Sequence, residues 1–415
     1  MRIVFPSILV KIALVLIPLS LLKILSASLS SETFSNFFIL FNICLYLSAF
    51  IFSLPAISAL RFYHHEDFEF ITAFASKIFL YSLFLFLLAT ICLIIIDVVF
   101  SSRLIYYIFP VLLLSSGFGY FLFVSNIYRS NQYLYSLSFF HFFLLASICF
   151  IFYFKSPLLN AIQLITILGI LYWLTSIILR LMLLKKHKFT LSLKSKAHML
   201  NLKHNSLFIY AFPLAIVGLT NTLMASSNQL ILKFFISNFE LAGYISSYMI
   251  AEKIFFAIQS LIVFIFLPII YKKYNELNTE AIGNIRKLSF LYFVVGFFIC
   301  IFVFFNKSLL VSIVSSNLYI EFSWIIPLVG IGLIFLGSAS ILVEIYLIAK
   351  KSMIVMKIYF AGAVCNILLN LLLIPIFGII GAVTATVISY IFIFVISVLN
   401  LKLVTNVNIA KIDLV

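Results

Sequence analysis

The segment NILLNLLLIPIFGIIGAVTATVISY, Asn366–Tyr390, decides how this chain is read. It is apolar enough to sit in lipid, yet it carries Asn366, Asn370, Pro375, Gly378 and a run of small residues. Asn366 and Asn370 are spaced i, i+4 and so share one helix face. An amide without a partner is costly in hydrocarbon, so both must face protein or water. Pro375 and Gly378 break the helix just where a span should leave the membrane. Beyond them Gly381, Ala382, Ala385 and Ser389 form a small-residue stripe that lets the following helix approach its neighbour closely. The expectation is a tight helical hairpin at the outer surface, stapled by amides, with a packing role.

The rest of the chain agrees with a membrane reading. Of 415 residues, 65% are hydrophobic and only 9% charged, and the mean hydropathy is +1.27. A soluble domain of this length could not hide so much apolar surface. Continuous apolar runs of about 20 residues match the hydrocarbon thickness of a bilayer, whereas a β-barrel would show short alternating segments. Twelve candidate spans emerge: 3–25, 35–59, 77–97, 104–128, 134–154, 157–184, 207–236, 241–271, 286–305, 323–349, 354–376 and 379–404. The first follows Arg2 and resembles a signal peptide, but it is longer than a signal h-region and reads as an uncleaved helix. The expected fold is an all-α integral membrane protein of twelve transmembrane helices.

The net charge of +15 would suggest nucleic acid in a soluble protein. Here the basic residues lie between apolar runs and read as topology signals, with no nucleic-acid partner. With the N-terminus placed in the cytoplasm, twenty Lys and Arg fall on the cytoplasmic side and four (Lys23, Arg103, Lys155, Lys307) on the outer side. Both termini are therefore expected in the cytoplasm. The five cysteines, Cys44, Cys92, Cys149, Cys300 and Cys365, lie far apart within apolar runs. They read as small buried hydrophobes, with neither a metal site nor a cofactor implied.

The longest polar interruption, KKHKFTLSLKSKAHMLNLKHN (Lys185–Asn205), divides the chain. The expected organisation is an N-terminal six-helix lobe (1–184), a basic cytoplasmic loop (185–206) and a C-terminal six-helix lobe (207–415). Eight of the nine prolines pair across it: Pro6 with Pro213, Pro55 with Pro268, Pro110 with Pro327, and Pro157 with Pro375. The separation only drifts upward, from 207 to 218 residues. This pattern predicts a duplication of six helices. An even number keeps both halves in the same orientation, related by a pseudo-two-fold axis along the membrane normal. Like-oriented halves suit alternating access, a class that names no cargo.

The quoted segment closely resembles the helix eleven–twelve signature of bacterial polysaccharide (O-antigen) flippases of the multidrug/oligosaccharidyl-lipid/polysaccharide exporter superfamily. The matching elements are the two asparagines, LIP, FG, GA and the following Thr. NQLILKFFISNFELAGYISSYMIAEKI (Asn228–Ile254) resembles the helix seven–eight region, and LPAISALRF the end of helix two. The resemblance implies two six-helix lobes in the bacterial inner membrane and a central cavity lined largely by the first two helices of each lobe. It implies an undecaprenyl-diphosphate-linked sugar repeat unit as cargo, flipped to the outer leaflet for O-antigen, lipopolysaccharide or other surface polysaccharide biosynthesis. Polysaccharide polymerase or chain-length machinery would be further partners. One departure matters. Members often carry an acidic residue in helix seven, where this chain has Asn228 and Gln229, which cannot titrate.

A diphosphate needs cations, and a sugar chain needs amides and hydroxyls. An intramembrane charge is a functional candidate by default. Lys253, beside Glu252, lies about 18 Å deep if its span starts near Leu241; if the span starts at Ile254, the pair sits at the outer interface. Lys11 lies about 12 Å into span one, as a cavity cation or a snorkelling lysine. Span seven carries a polar belt, Thr220, Asn221, Thr222, Ser226, Ser227, Asn228 and Gln229, which lines a cavity or packs between helices. Asn42 and Tyr46, one turn apart, are candidates for the opposite wall. Arg61 reads as a cytoplasmic anchor, Glu344 as half of a structural ion pair with Lys350 or Lys351, one to two turns away, and His141 and Gln163 as structural. Two rival functions remain. A small-molecule exporter of the same superfamily shares the architecture. A membrane polymerase or ligase would need a catalytic patch, yet the longest outer loop offers only Lys307 and Glu321 as charges, so no enzyme is expected.

Overall fold

The computed structural model describes residues 4–61, 84, 87, 91, 105–130, 134–155, 159–187, 200–273, 279–349 and 351–401. Among these the chain is helical and contains no strand. The helices are α1 (Val4–Ser28), α2 (Ser31–Arg61), α3 (Ile105–Ser130), α4 (Leu134–Lys155), α5 (Ala161–His187), α6 (Leu200–Leu232), α7 (Asn238–Lys273), α8 (Thr279–Val314), α9 (Ile325–Ile348) and α10 (Ser352–Leu399). A 3-10 helix, η1 (Asn317–Trp324), joins α8 to α9. Among the described residues, seven helical stretches are long and apolar enough to cross a membrane. The third candidate span, 77–97, lies outside the described residues except for Phe84, Leu87 and Ile91. These are helical and exposed. Helix α6 already includes residues 200–206, ahead of the expected 207.

The chain forms two compact units, Met1–Thr222 and Leu223–Val415. In the first, α3 packs against α2 and α5, and α1 against α4. Leu22, Leu25, Phe34, Phe37 and Phe152 are wholly buried there. Asn160 and Gln163 open α5 with a reciprocal capping box at 3.0 Å in each direction, which gives Gln163 its structural role. His141 is buried with its ring 5.2 Å from that of Phe121.

In the second unit α9 is central and packs against α7, α8 and α10. The apolar stretch that η1 and α9 form together, Asn317–Ile348, is 72% buried, against 28% for that of α7 and 33% for those of α8 and α10. This explains why α9 is apolar around its whole circumference, whereas a helix with a lipid-facing side can be recognised by neither polarity nor period. Gly337 and Gly330 give the seats: a side chain there would overlap the rings of Tyr292 and Phe255.

α10 contains both limbs of the hairpin read from the sequence. Its one non-helical residue is Gly378, at φ 55° and ψ −126°. Those are the angles of the first central residue in a type II′ turn, a region that side chains disfavour. Three pairings locate the reversal. Asn366 bonds Ser389, Gly362 lies against Ile393, and Gly381 lies against the Leu373 carbonyl. All three are centred on Phe377–Gly378, so the limbs run antiparallel. Asn366, Asn370, Gly381, Ala382, Ala385 and Ser389 are buried, while Pro375 is exposed at the turn.

Candidate functional site

The second unit holds a continuous polar seam where the C-terminal part of α6 meets α7 and α10. Ser227 donates to Asn366 Oδ1 at 3.0 Å, and Asn366 Nδ2 donates to Ser389 Oγ at 3.3 Å. Asn370 Nδ2 donates to Asn366 Oδ1 at 3.0 Å, while Asn370 Oδ1 is buried with no hydrogen-bond partner. One residue along α6, Asn228 Nδ2 donates to the Tyr244 hydroxyl at 2.5 Å and to Thr386 Oγ1 at 3.3 Å. The hydroxyls of Tyr248 and Tyr390 share a 3.0 Å hydrogen bond, and the rings of Tyr244 and Tyr248 stack with centroids 5.8 Å apart. All these side chains are buried. In a membrane each such bond removes a polar group that lipid could not satisfy.

This geometry shows how the polar belt of span seven is placed. Asn228 has no exposed surface and Gln229 has 4%. Asn228 ties three helices together through its bonds to Tyr244 and Thr386. Thr220, Ser226 and Ser227 are also buried. Within the belt Asn221 is the exposed member. The reason is helical phase: seven polar residues over ten positions cannot share one face at 100° per residue, so the belt is divided between two faces.

The charged pair lies further along α7. Lys253 Nζ is 2.7 Å from Glu252 Oε1, with the side chains 19% and 31% exposed. The helix begins at Asn238 and its apolar stretch runs to Leu267. The pair therefore sits at the middle of that stretch, about 22 Å along the helix from Asn238. A partly exposed lysine held by a carboxylate at mid-span is a charge that an incoming anion can compete for. Further along, Gln259 Nε2 donates to Ser340 Oγ at 2.5 Å, extending the polar face toward α9.

The remaining candidates are dispersed. Asn42 is buried and Tyr46 half-buried in α2 of the first unit. Lys11 lies in α1 and Arg61 ends α2; their side chains fall outside the described residues. Glu344 is half-buried in α9, and Lys350, one of its two expected partners, is outside the described residues. Among the described residues no group of His, Cys, Asp and Glu could hold a metal ion.

Sequence reading assigned no role to Tyr244, Tyr248, Thr386 or Tyr390. The signal was present: Tyr244, Tyr248 and Glu252 recur at i+4 and form one stripe along α7.

Comparison with known proteins defines the fold. An inward-facing multidrug resistance MATE family transporter of the MOP superfamily superposes with a TM-score of 0.71 at 12% identity, covering 95% of this chain and 96% of that one. An outward-facing structure of such a transporter gives 0.64 at 11% identity, covering 99% and 96%. The lipid II flippase MurJ, inward closed, gives 0.66 at 14% identity, covering 97% and 87%. No protein-family model and no curated protein matches the sequence. The chain thus has the helical fold of MOP superfamily transporters.

Proposed function

We propose that this protein is a flippase. It moves an undecaprenyl-diphosphate-linked oligosaccharide repeat unit from the cytoplasmic to the outer leaflet of a bacterial inner membrane by alternating access. The observation that carries the reading is the mid-span pair Glu252–Lys253 in a fold shared with a lipid II flippase. A diphosphate headgroup requires a cation within the membrane, and Lys253 is one whose carboxylate partner is exchangeable. Lys11 in the first unit is assigned the same role. Asn42, Tyr46 and Asn221 are assigned to sugar contacts, and Asn366, Asn370, Pro375, Gly378 and Gly381 to the hairpin.

The architecture proposed is twelve helices in two lobes, 1–184 and 207–415, joined by the basic segment 185–206, with both termini cytoplasmic. Support for duplication comes from one crossing in each unit. In the first, Gly169 of α5 meets Leu114 of α3; in the second, Val387 of α10 meets Gly332 of α9. Shifted by 218 residues, the Pro157–Pro375 separation, positions 114 and 169 fall on 332 and 387. The glycine has changed sides but the crossing is the same.

A second reading, export of a small molecule, is favoured by the likeness to multidrug transporters. The two are separated by deleting the protein and analysing the lipid-linked oligosaccharides. Accumulation of one such oligosaccharide on the cytoplasmic face is expected. Unchanged oligosaccharides together with drug sensitivity would establish the exporter instead.

A further inference from the structure

We propose that the groove between α8 and α9 is a binding site for one anionic phospholipid drawn from the surrounding bilayer. The groove has a volume of about 760 Å³ and is lined by Phe293, Phe297 and Phe304 of α8, Leu328 and Ile331 of α9, and Trp324, with Lys307 at one end. It opens sideways, since Phe297, Phe304, Leu328 and Ile331 are all exposed. On a membrane-spanning unit that side faces lipid, so an occupant enters laterally.

Depth identifies the kind of occupant. Lys287 and Lys307 are twenty residues apart on α8, about 30 Å by helical rise and equal to the hydrocarbon thickness of a bilayer. Lys307 therefore marks the interface opposite Arg286 and Lys287. From Lys307 the groove descends fourteen residues to Phe293, about 21 Å, past the centre of that hydrocarbon core, which lies about 15 Å down. An acyl chain entering from the Lys307 leaflet therefore has room for its whole length. Trp324 at the same end is a residue type enriched at membrane interfaces.

Charge identifies the headgroup. The Lys307 ammonium lies 5.1 Å over the Phe304 ring, and among the described residues it forms no ion pair. Glu321, exposed on η1, is the carboxylate nearest in sequence to Trp324, and among the described residues it forms no ion pair with Lys307. The groove thus ends in an uncompensated cation at headgroup level, which complements a phosphate of net negative charge and not a zwitterion. This site does not depend on the identity of the cargo.

The chain contains two tryptophans, Trp173 and Trp324, so Trp173→Phe leaves Trp324 as the sole reporter inside the groove. The full chain carrying that change is reconstituted with phosphatidylglycerol or phosphatidylcholine brominated on the acyl chains. The anionic lipid should quench Trp324 at about fivefold lower mole fraction, the factor expected for one basic residue near the surface. Lys307→Gln should abolish that preference while quenching by the zwitterionic lipid persists, which also reports a folded groove; Lys307→Arg should retain it. Equal quenching by both lipids before mutation, or a preference surviving Lys307→Gln, overturns the proposal. So does relief of quenching by a polyprenyl phosphate at lower mole fraction than by unbrominated phosphatidylglycerol, which would assign the groove to a longer chain.

Discussion

Neutralising the Glu252–Lys253 pair separates a structural charge from a working one. Lys253→Gln leaves Glu252 charged at mid-span with its 2.7 Å partner gone. Removing one member of a fully buried pair costs about 3–5 kcal/mol. Here the side chains retain 19% and 31% of their exposure, so water offsets part of the penalty, and a loss of about 1–3 kcal/mol is expected. Glu252→Gln should cost a similar amount by stranding the ammonium. The double variant Glu252→Gln, Lys253→Gln strands no charge, and its unfolding temperature in detergent should return close to that of the parent. Transport should not return. A charge-assisted hydrogen bond to phosphate contributes about 1.5–3 kcal/mol, so losing the cation should slow glycan export about 10- to 100-fold in both Lys253 variants. The assay is surface glycan per copy of membrane-inserted protein, in cells with no other copy. A stable double variant that exports at the parental rate would refute the reasoning, because the pair would then be a device of packing alone.

Three other perturbations test the frame around the pair. Gly378→Ala places a side chain at φ 55°, ψ −126°, and should cost about 1–3 kcal/mol, read as a lower thermal midpoint; an unchanged midpoint would mean that the turn relaxes freely. Asn366→Leu removes three hydrogen bonds at about 0.6 kcal/mol each in a membrane, a loss of roughly 2 kcal/mol. Asn370→Leu removes one bond together with an unpartnered oxygen and should be close to neutral, so the reverse ranking in thermal unfolding would contradict the network. A cysteine introduced at Ser195 should be labelled from the cytoplasmic side only, and labelling from outside intact cells would invert the topology.

The hairpin was legible because its signals are local. A proline and a glycine at the exit, small residues beyond them and two amides on one face leave a single arrangement that satisfies every polar group. The polar belt of span seven was legible as a non-lipid surface but not as a particular one. Whether Asn228 lines water or meets Tyr244 and Thr386 depends on helices 16 and 158 residues away, which no local pattern encodes. The tyrosines were overlooked for a related reason. In a chain with 49 phenylalanines and 21 tyrosines, an aromatic at helical spacing carries little information until its hydroxyl is seen to have a partner. Lys253 shows the opposite case, because its depth was open only while the start of its helix was open. With α7 beginning at Asn238, helical rise puts the ammonium about 22 Å along the helix, in the middle of its apolar stretch. If that stretch is centred in the bilayer, the ammonium, unlike the lysines near helix ends, has no interface within reach of its own stem. A charge so placed is costly unless it is used, and that cost is the physical ground for expecting the anion.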